Sequence, residues 1–525
     1  MDSKMKYLAG IDIGTTGAKA GIFDLNGNLI SSAYREYVCD FPKPGWVDQD
    51  PDLIVDLAME ASSEAVKKGN INPDYIASLG ISSQRCCTIF LDKSLKPVRP
   101  MISWQDSRTA KEVEDILEKI TSGEFYKITG FPLSTTWMLS KILWFRKNEP
   151  EKYKNVFKII QLQDYSLLKF GAEGLYNDVS DAGFSGIWDT NNFKWSDKII
   201  NLFDIDKNLL PEVKPSGIEI GVISREAAKK CGLASGTSLS MGAGDQNSAA
   251  IGAGIVNSSF VSVSMGTAGN ANAYLENPFR DPNGKTMVLN HAIYGKWALE
   301  GHQAGAAGVL RWFRDEIATL EKAFSDSMGK NVYSIIDELI EKAPPGSKGL
   351  IMMPFLAGAN APRWNSNAKG SFIGMTFGHD RACLARSVLE GITLEMQDIL
   401  IAIRAAGVKI SNIRITGGAS KSSIWRQIQA DIYGIPVETL KVKDTALLGA
   451  AILGAVGCGI FKDIYQGVEQ MVKTDIKVEP IENNLKIYKE LYEIYCSIYE
   501  GLNDNKVYEK LNQIQILDCS INKLG

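Results

Sequence analysis

The stretch Leu8-Ala-Gly-Ile-Asp-Ile-Gly-Thr-Thr-Gly-Ala-Lys-Ala-Gly-Ile-Phe-Asp24 confines the fold of this chain more tightly than any other. An apolar strand enters a Gly-Thr-Thr-Gly turn and a second apolar strand leaves it, which predicts a β-hairpin tipped with small residues, hydroxyls and backbone N–H groups. Glycines let a ligand approach the backbone, and N–H groups in a tight turn form a concavity for anions. Asp12, beside the tip, suits a phosphate-bound Mg2+ held through water. The ligand these residues point to is a nucleotide polyphosphate. Strand, Gly-Thr turn and strand recur at Phe260-Val-Ser-Val-Ser-Met-Gly-Thr-Ala-Gly-Asn-Ala-Asn-Ala-Tyr274. Either hairpin alone reads as well as an ordinary turn. Together they argue for two related half-domains facing each other across a cleft.

With 525 residues the chain exceeds what one core can organise. Its 57 basic and 61 acidic side chains leave a net charge of -4, which gives nucleic acid no basic field to bind. Cys39, Cys86, Cys87, Cys231, Cys383, Cys458, Cys496 and Cys519 show no metal-ligand spacing and read as reduced thiols. No apolar signal segment precedes the first strand, so a cytoplasmic protein is expected. The longest uncharged run, Thr445 to Phe461, is too short to span a bilayer and too rich in glycine for a loose surface helix. It reads as a buried, closely packed helix, and no membrane partner is expected.

Strands alternate with amphipathic helices from residue 6 to about 247, as in Ile76 to Ser82 followed by a helix starting near Asp106, which argues for an α/β architecture. The loop-rich segment Asn177 to Asp197 is expected on the outer or cleft-facing surface. A second half, 248–480, repeats the grammar with strands at 260–264, 271–275 and 413–416. Its helices are expected from about Gly305 to Thr319, at 380–406, at 420–433 opened by Ser420, and at 445–457. In the remainder, 481–525, Tyr488, Leu491, Tyr492, Tyr495 and Ile498 fall on helical spacing and predict a terminal helix packed on the body.

Two further turns carry chemistry. Met241-Gly-Ala-Gly-Asp-Gln-Asn-Ser248 ends an apolar strand in a turn that presents Asp245 and Gln246. Asp245 is either a base that accepts a hydroxyl proton during phosphoryl transfer or a carboxylate satisfying turn N–H groups. Arg414-Ile-Thr-Gly-Gly-Ala-Ser-Lys-Ser-Ser is strand, glycine turn and helix start, which fits the adenosine end of ATP or any capped βα turn. The chain lacks a GxxxxGK[ST] loop, because Phe279 stands where its first glycine belongs, and it has neither GxSxG nor more than three histidines.

In order, the Asp-Ile-Gly-Thr-Thr-Gly hairpin, the Gly244-Asp245-Gln246 turn, Ser264-Met-Gly-Thr267 and Thr416-Gly-Gly-Ala-Ser420 resemble the FGGY family of carbohydrate kinases. Pro44 to Pro51, Ser103 to Thr109, Lys141-Ile-Leu-Trp144 and Gly370 to Gly391 are similar as well. The resemblance implies an actin/hexokinase-type α/β fold, two ribonuclease-H-like domains around a central cleft, that binds ATP with Mg2+ and a small sugar or polyol. It implies Asp245 as base, and Gln84, Arg85, Trp104, Asp106, Thr136, Asp245 and Gln246 against the sugar. Thr15, Thr16 and Thr267 would touch phosphates in turns containing Gly14 and Gly266, with Lys19 pairing a phosphate. Gly417, Gly418 and Ser422 would line the adenine pocket, and Ala307 and Arg311 would add nucleotide contacts. Family members are often dimers or tetramers.

The sugar-reading segment Ser82-Ser-Gln-Arg-Cys-Cys-Thr88 matches none of the familiar subclasses fully. Glycerol kinases have Asn-Gln-Arg-Glu-Thr there. Cys86 in place of the carboxylate removes a charge-assisted bond worth roughly 1.5–3 kcal/mol. Xylulokinases usually have Met-His-Gly. The Gly45 to Asp50 and Trp137 to Pro150 stretches look xylulokinase-like, and Trp312 to Asp315 and Pro344 to Ser347 are similar to autoinducer-2 kinases. The expectation is a ketopentose such as xylulose. An ATP-driven conformational sensor of the same superfold is the alternative outside enzymes. Cys86 and Cys87 read either as a redox switch or as small apolar groups that pack.

Overall fold

Two mixed sheets, each flanked by helices, organise the protein, and the chain divides into two compact units. The structure, a computed structural model, describes residues 6–282 and 284–521, with side chains to 515. Residues 1–5, which bear on the expected absence of a signal segment, and the side chain of Cys519 lie outside the described residues.

The first unit runs to Asn257 and adds Tyr274–Leu299 and Lys441–Lys473. Its main sheet contains β1 (Tyr7–Ile13), β2 (Gly17–Asp24), β3 (Leu29–Glu36), β4 (Ile76–Ser83), β5 (Glu219–Val222) and β6 (Ser238–Gly244), ordered β5-β6-β4-β1-β2-β3. β1, β4 and β6 run parallel, while β2, β3 and β5 are antiparallel to their neighbours. Parallel strands buried on both faces need continuous apolar sequence, and every residue of β4 and β6 is buried.

Thr445–Gly457 is the buried helix expected from its glycines, and it lies on this sheet. A Cβ added at Gly80 would fall 1.9 Å from the Ala450 carbonyl oxygen, and one at Gly449 would fall 1.8 Å from that of Ser248. Backbone meets backbone along this seam, as close packing on a sheet requires.

The Asn177 to Asp197 segment departs from expectation. Asn177 through Trp188 is buried, built around the short helix Val179–Gly183. Part of its polar atoms find partners inside, while among the described residues both Asp181 carboxylate oxygens have no hydrogen-bond partner. Asp178 accepts the Ser180 N–H at 2.7 Å, and the Asn177 amide donates to Asp164. Trp188 packs edge-on against Trp195 at 5.2 Å and donates to Asn290. Polarity therefore does not mean exposure over residues 177–188; the exposed residues of the segment are Asn191, Asn192, Lys194 and Asp197.

The second unit comprises Ser258–Ala273, Glu300–Leu440 and the chain from Thr474 onward. β7 (Phe260–Met265) pairs antiparallel with β8 (Gly269–Leu275) and parallel with β9 (Asn412–Gly417), which continues through β10 (Val437–Leu440) to antiparallel β11 (Thr474–Val478). The terminal helix Glu482–Asp504 buries Tyr488, Leu491, Tyr495 and Tyr499, while Tyr492 and Ile498 are half-buried. Tyr488 Oη donates to Glu390 at 2.7 Å. One helix start moves: Ser422, not Ser420, caps Ser423–Tyr433, accepting the Trp425 N–H at 3.1 Å. Ser420 lies in a preceding 3₁₀ turn and donates to the Gly417 carbonyl.

Candidate active site

The carboxyl ends of β1, β4 and β6 gather the first unit's candidate residues. Register sets Asp12 beside Ser82 and Ser83 beside Gly244, so Gln84-Arg85 and Asp245 leave adjacent strands at the same edge. Open parallel sheets place ligands at such ends. Asp245 opens the helix Asp245–Gly252, and its Oδ1 lies 3.1 Å from Arg85 Nε and 2.7 Å from the Gln246 N–H. The Arg85 guanidinium stacks on Phe184, 3.8 Å from the ring centre. Gly244 is needed here because a Cβ would meet Arg85 Cδ at 2.5 Å and Asp181 Oδ1 at 2.7 Å.

At the first hairpin tip the carbonyls are tied down by side chains. Tyr37 donates to Gly14, Gln49 to Thr15 at 3.0 Å, and Tyr34 to Thr16 at 3.3 Å. The oxygens that would repel a phosphate are thus engaged elsewhere. Trp104, partly exposed, donates its Nε1–H to Thr15 Oγ1 at 3.0 Å, joining the loop that carries it to the tip. Gln84 donates to Gln49 at 3.1 Å. Asp12 accepts from Ser82 Oγ at 2.8 Å. Burial, with Asp245 and Asp444 nearby, raises its pKa to about 7 against the pull of Ser82 and Lys19. Lys19 is paired within the protein, its Nζ 2.8 Å from Asp444.

Asp106 is wholly buried below Trp104. Its carboxylate accepts from the Val47 N–H at 2.6 Å and from Arg108 Nε at 2.8 Å, and Arg108 also pairs with Asp48. It braces the loop that carries Trp104. Thr136 is half-buried, accepting from Ser134 Oγ at its hydroxyl and donating its N–H to the same oxygen. Cys86 and Cys87 are buried; burial drives both thiols upward, that of Cys87 to about 12, which removes the thiolate a redox switch requires. Packing is the role the structure supports for them.

In the second unit, one cluster unites most of the expected nucleotide residues. Thr267, exposed at the turn between β7 and β8, accepts through its carbonyl from the Ala306 and Gly308 N–H groups at 3.0 and 3.1 Å, and Gly266 accepts from Ala307 at 2.8 Å. Gly417, at φ +76, pairs with Met265 in register; a Cβ there would lie 2.5 Å from the Met265 carbonyl oxygen. A Cβ on Gly418 would stand 3.5 Å from Ala307 Cβ. Arg311 is exposed on the helix Ala307–Trp312, and Ser422 is occupied as a helix cap. Nothing in the sequence points to Asp444 or Gln161, nor to the partners of Ser82 and Lys141, because these pairs are distant in the chain.

The chain belongs to the FGGY family of carbohydrate kinases: residues 7–252 match the family's N-terminal domain and residues 261–458 its C-terminal domain. It is 31% identical to the xylulose kinase of Lactococcus lactis subsp. lactis (strain IL1403) over 504 residues, 95% of this chain and 98% of that one. The crystal structure of gluconate kinase from Lactobacillus acidophilus superposes with a TM-score of 0.86 at 28% identity, covering 95% of this chain and 98% of that one. Plasmodium falciparum glycerol kinase with ADP gives 0.83 at 25%, covering 94% and 98%. The protein is therefore an ATP-dependent kinase acting on a sugar or polyol hydroxyl, with the two-domain α/β fold of the actin/hexokinase type. No helix among the described residues is long and apolar enough to cross a membrane.

Proposed function

We propose that the chain phosphorylates a ketopentose of the D-xylulose type, with Asp245 as the general base. The observation that carries the site assignment is the meeting of Asp245 and Arg85 at the ends of β6 and β4. The acceptor hydroxyl gives its proton to Asp245, its oxygen bonds to the γ-phosphorus of ATP, and ADP departs. Arg85, Gln84, Trp104, Gln246 and Thr136 orient the sugar, and Asp106 acts through the loop it braces. Thr15 and Thr16 with Gly14, and Thr267 with Gly266, bind phosphates. Gly417, Gly418, Ala307, Arg311 and Ser422 serve the nucleoside. Arg85, 3.1 Å away, pairs with the Asp245 carboxylate and orients it.

Among the described residues no group of three or more His, Cys, Asp or Glu could hold a metal by itself. The protein's share of a Mg2+ site is then the single carboxylate of Asp12, with ATP phosphates and water completing it. A raised carboxylate among acidic neighbours fits a cation that offsets them. When bound, Mg2+ neutralises phosphate charge.

Similarity to a xylulose kinase supports the ketopentose, as does Cys86 standing where a polyol-reading carboxylate would be. Gluconate is a second reading, favoured by the likeness to gluconate kinase and by the guanidinium at the sugar edge. A coupled ADP-release assay with D-xylulose, D-ribulose, gluconate, glycerol, erythritol and autoinducer-2 decides. Highest kcat/KM on D-xylulose or D-ribulose supports the proposal, and highest on gluconate or glycerol overturns it.

A further inference from the structure

Cys86 is held in a conformation that a residue with a Cβ adopts reluctantly. Its φ is +63°, in the left-handed region, directly after Arg85. The kink lets consecutive side chains enter different cores. Cys87 packs with Ile89, Ile160 and Leu162, and Cys86 with Phe90, Phe125 and Phe184. Both backbone groups of Cys86 are gripped by buried side chains. Lys141 Nζ donates to its carbonyl at 2.6 Å, and Gln161 Oε1 accepts its N–H at 2.8 Å. Gln161 is anchored in turn, donating to the Asp181 carbonyl at 2.7 Å while its own N–H donates to Asp164.

Lys141 is fully buried on the helix Met138–Asn148, and it forms no ion pair among the described residues. Burying an ammonium for one carbonyl bond is costly, and a methionine would fill the same volume without that cost. Strained backbone persists where its surroundings over-determine it, and it clusters at functional sites. Here the strained residue adjoins the guanidinium that reaches Asp245.

We propose that Lys141 and Gln161 are positioning residues for sugar recognition: by clamping the left-handed Cys86 they aim Arg85 across Phe184 at Asp245. The inference rests on the reading of Arg85 and Asp245 as the sugar edge of the site. Without the clamp the peptide relaxes, Arg85 swings off Phe184, and the sugar loses its guanidinium while the nucleotide residues stay in place.

The test is steady-state kinetics of the full chain with whichever of D-xylulose, gluconate or glycerol it turns over fastest. Lys141→Met is expected to raise the sugar KM at least tenfold and leave the ATP KM within about twofold. Adding Cys86→Gly should bring the sugar KM most of the way back, because glycine takes a positive φ freely. Adding Cys86→Ala, which also removes the thiol but keeps a Cβ, should not. If glycine and alanine rescue equally, or if both Michaelis constants rise together, Lys141 is only structural and the proposal falls. Should Lys141→Met fail to fold, Gln161→Met is read by the same criteria. Arg85→Gln in parallel separates the two layers. If it leaves the sugar KM unchanged, the site reading and the clamp fail together. If it raises that KM and the clamp variants do not, the clamp alone fails.

Discussion

Asp245 Oδ1 lies 3.1 Å from Arg85 Nε, an ion pair where two strand ends meet. Asp245→Asn keeps the shape and the bond to the Gln246 N–H but cannot take a proton. Turnover should fall about 10²–10⁴-fold, with the thermal midpoint little changed. Retention of turnover within a few-fold would remove Asp245 from the role of base. His291 makes a prediction away from the site. Buried, it accepts the Ile293 N–H at Nδ1 and donates from Nε2 to Ile255 O, which fixes the neutral ring, and burial lowers its pKa to about 4. A folded pKa below the unfolded 6.5 contributes stability that is complete above pH 6.5 and lost as pH falls toward 4. The size is on the order of 3 kcal/mol. Denaturant unfolding of wild type and His291→Gln should diverge over that range and run parallel above pH 7, whereas parallel curves throughout would refute the assignment. At this scale the turns that carry Asp245, Gly417 and Thr267 are legible in the sequence, because a turn that needs glycine beside a carboxylate or hydroxyl leaves a local mark. Sequence reading does not reach Asp444, 425 residues from Lys19, or Val47, 59 residues from Asp106, because pairs joined only by folding leave none.

Elements announce themselves when their requirement is local. Both Gly-Thr hairpins and the glycine-rich helix Thr445–Gly457 were legible for that reason. Composition misled at residues 177–188, which are buried with internal partners for Asn177 and Asp178, and at Ser420, where two serines compete to cap and the one with a Trp425 N–H in reach wins. The glycine seam supplies a sharp test. Gly80→Ala would drive a methyl into the Ala450 carbonyl, backbone that cannot step aside, while Gly123, on the helix Ser122–Thr129, has nothing within 4 Å of an added Cβ. Overpacking costs about 1–3 kcal/mol or more. Ala in place of an open helical glycine gains up to about 1 kcal/mol. Differential scanning calorimetry should show Gly80→Ala lowering the midpoint by several degrees and Gly123→Ala leaving it level or raised. Equal midpoints would mean the helix is not seated as described.

The chain does not complete its units in order. The first takes Tyr274–Leu299 and Lys441–Lys473 from beyond its own carboxyl end, and the second resumes at Thr474. No local pattern encodes this, since a helix written at residue 445 bears no sign that its seat is a sheet begun at residue 7. The consequence is that residues 6–257 contain the first sheet without the helix that covers Gly10 and Gly80. An uncovered parallel sheet leaves its strands half solvated. Expressed alone, 6–257 should keep far-UV dichroism yet lose near-UV signal and a cooperative thermal transition. The same fragment with Tyr274–Leu299 and Lys441–Lys473 joined through flexible linkers should recover both. A cooperative transition in the bare fragment would show that the late segments decorate a unit already complete. Its absence, with recovery in the linked chain, would show that folding of the site-bearing unit waits for residues near the end of the sequence.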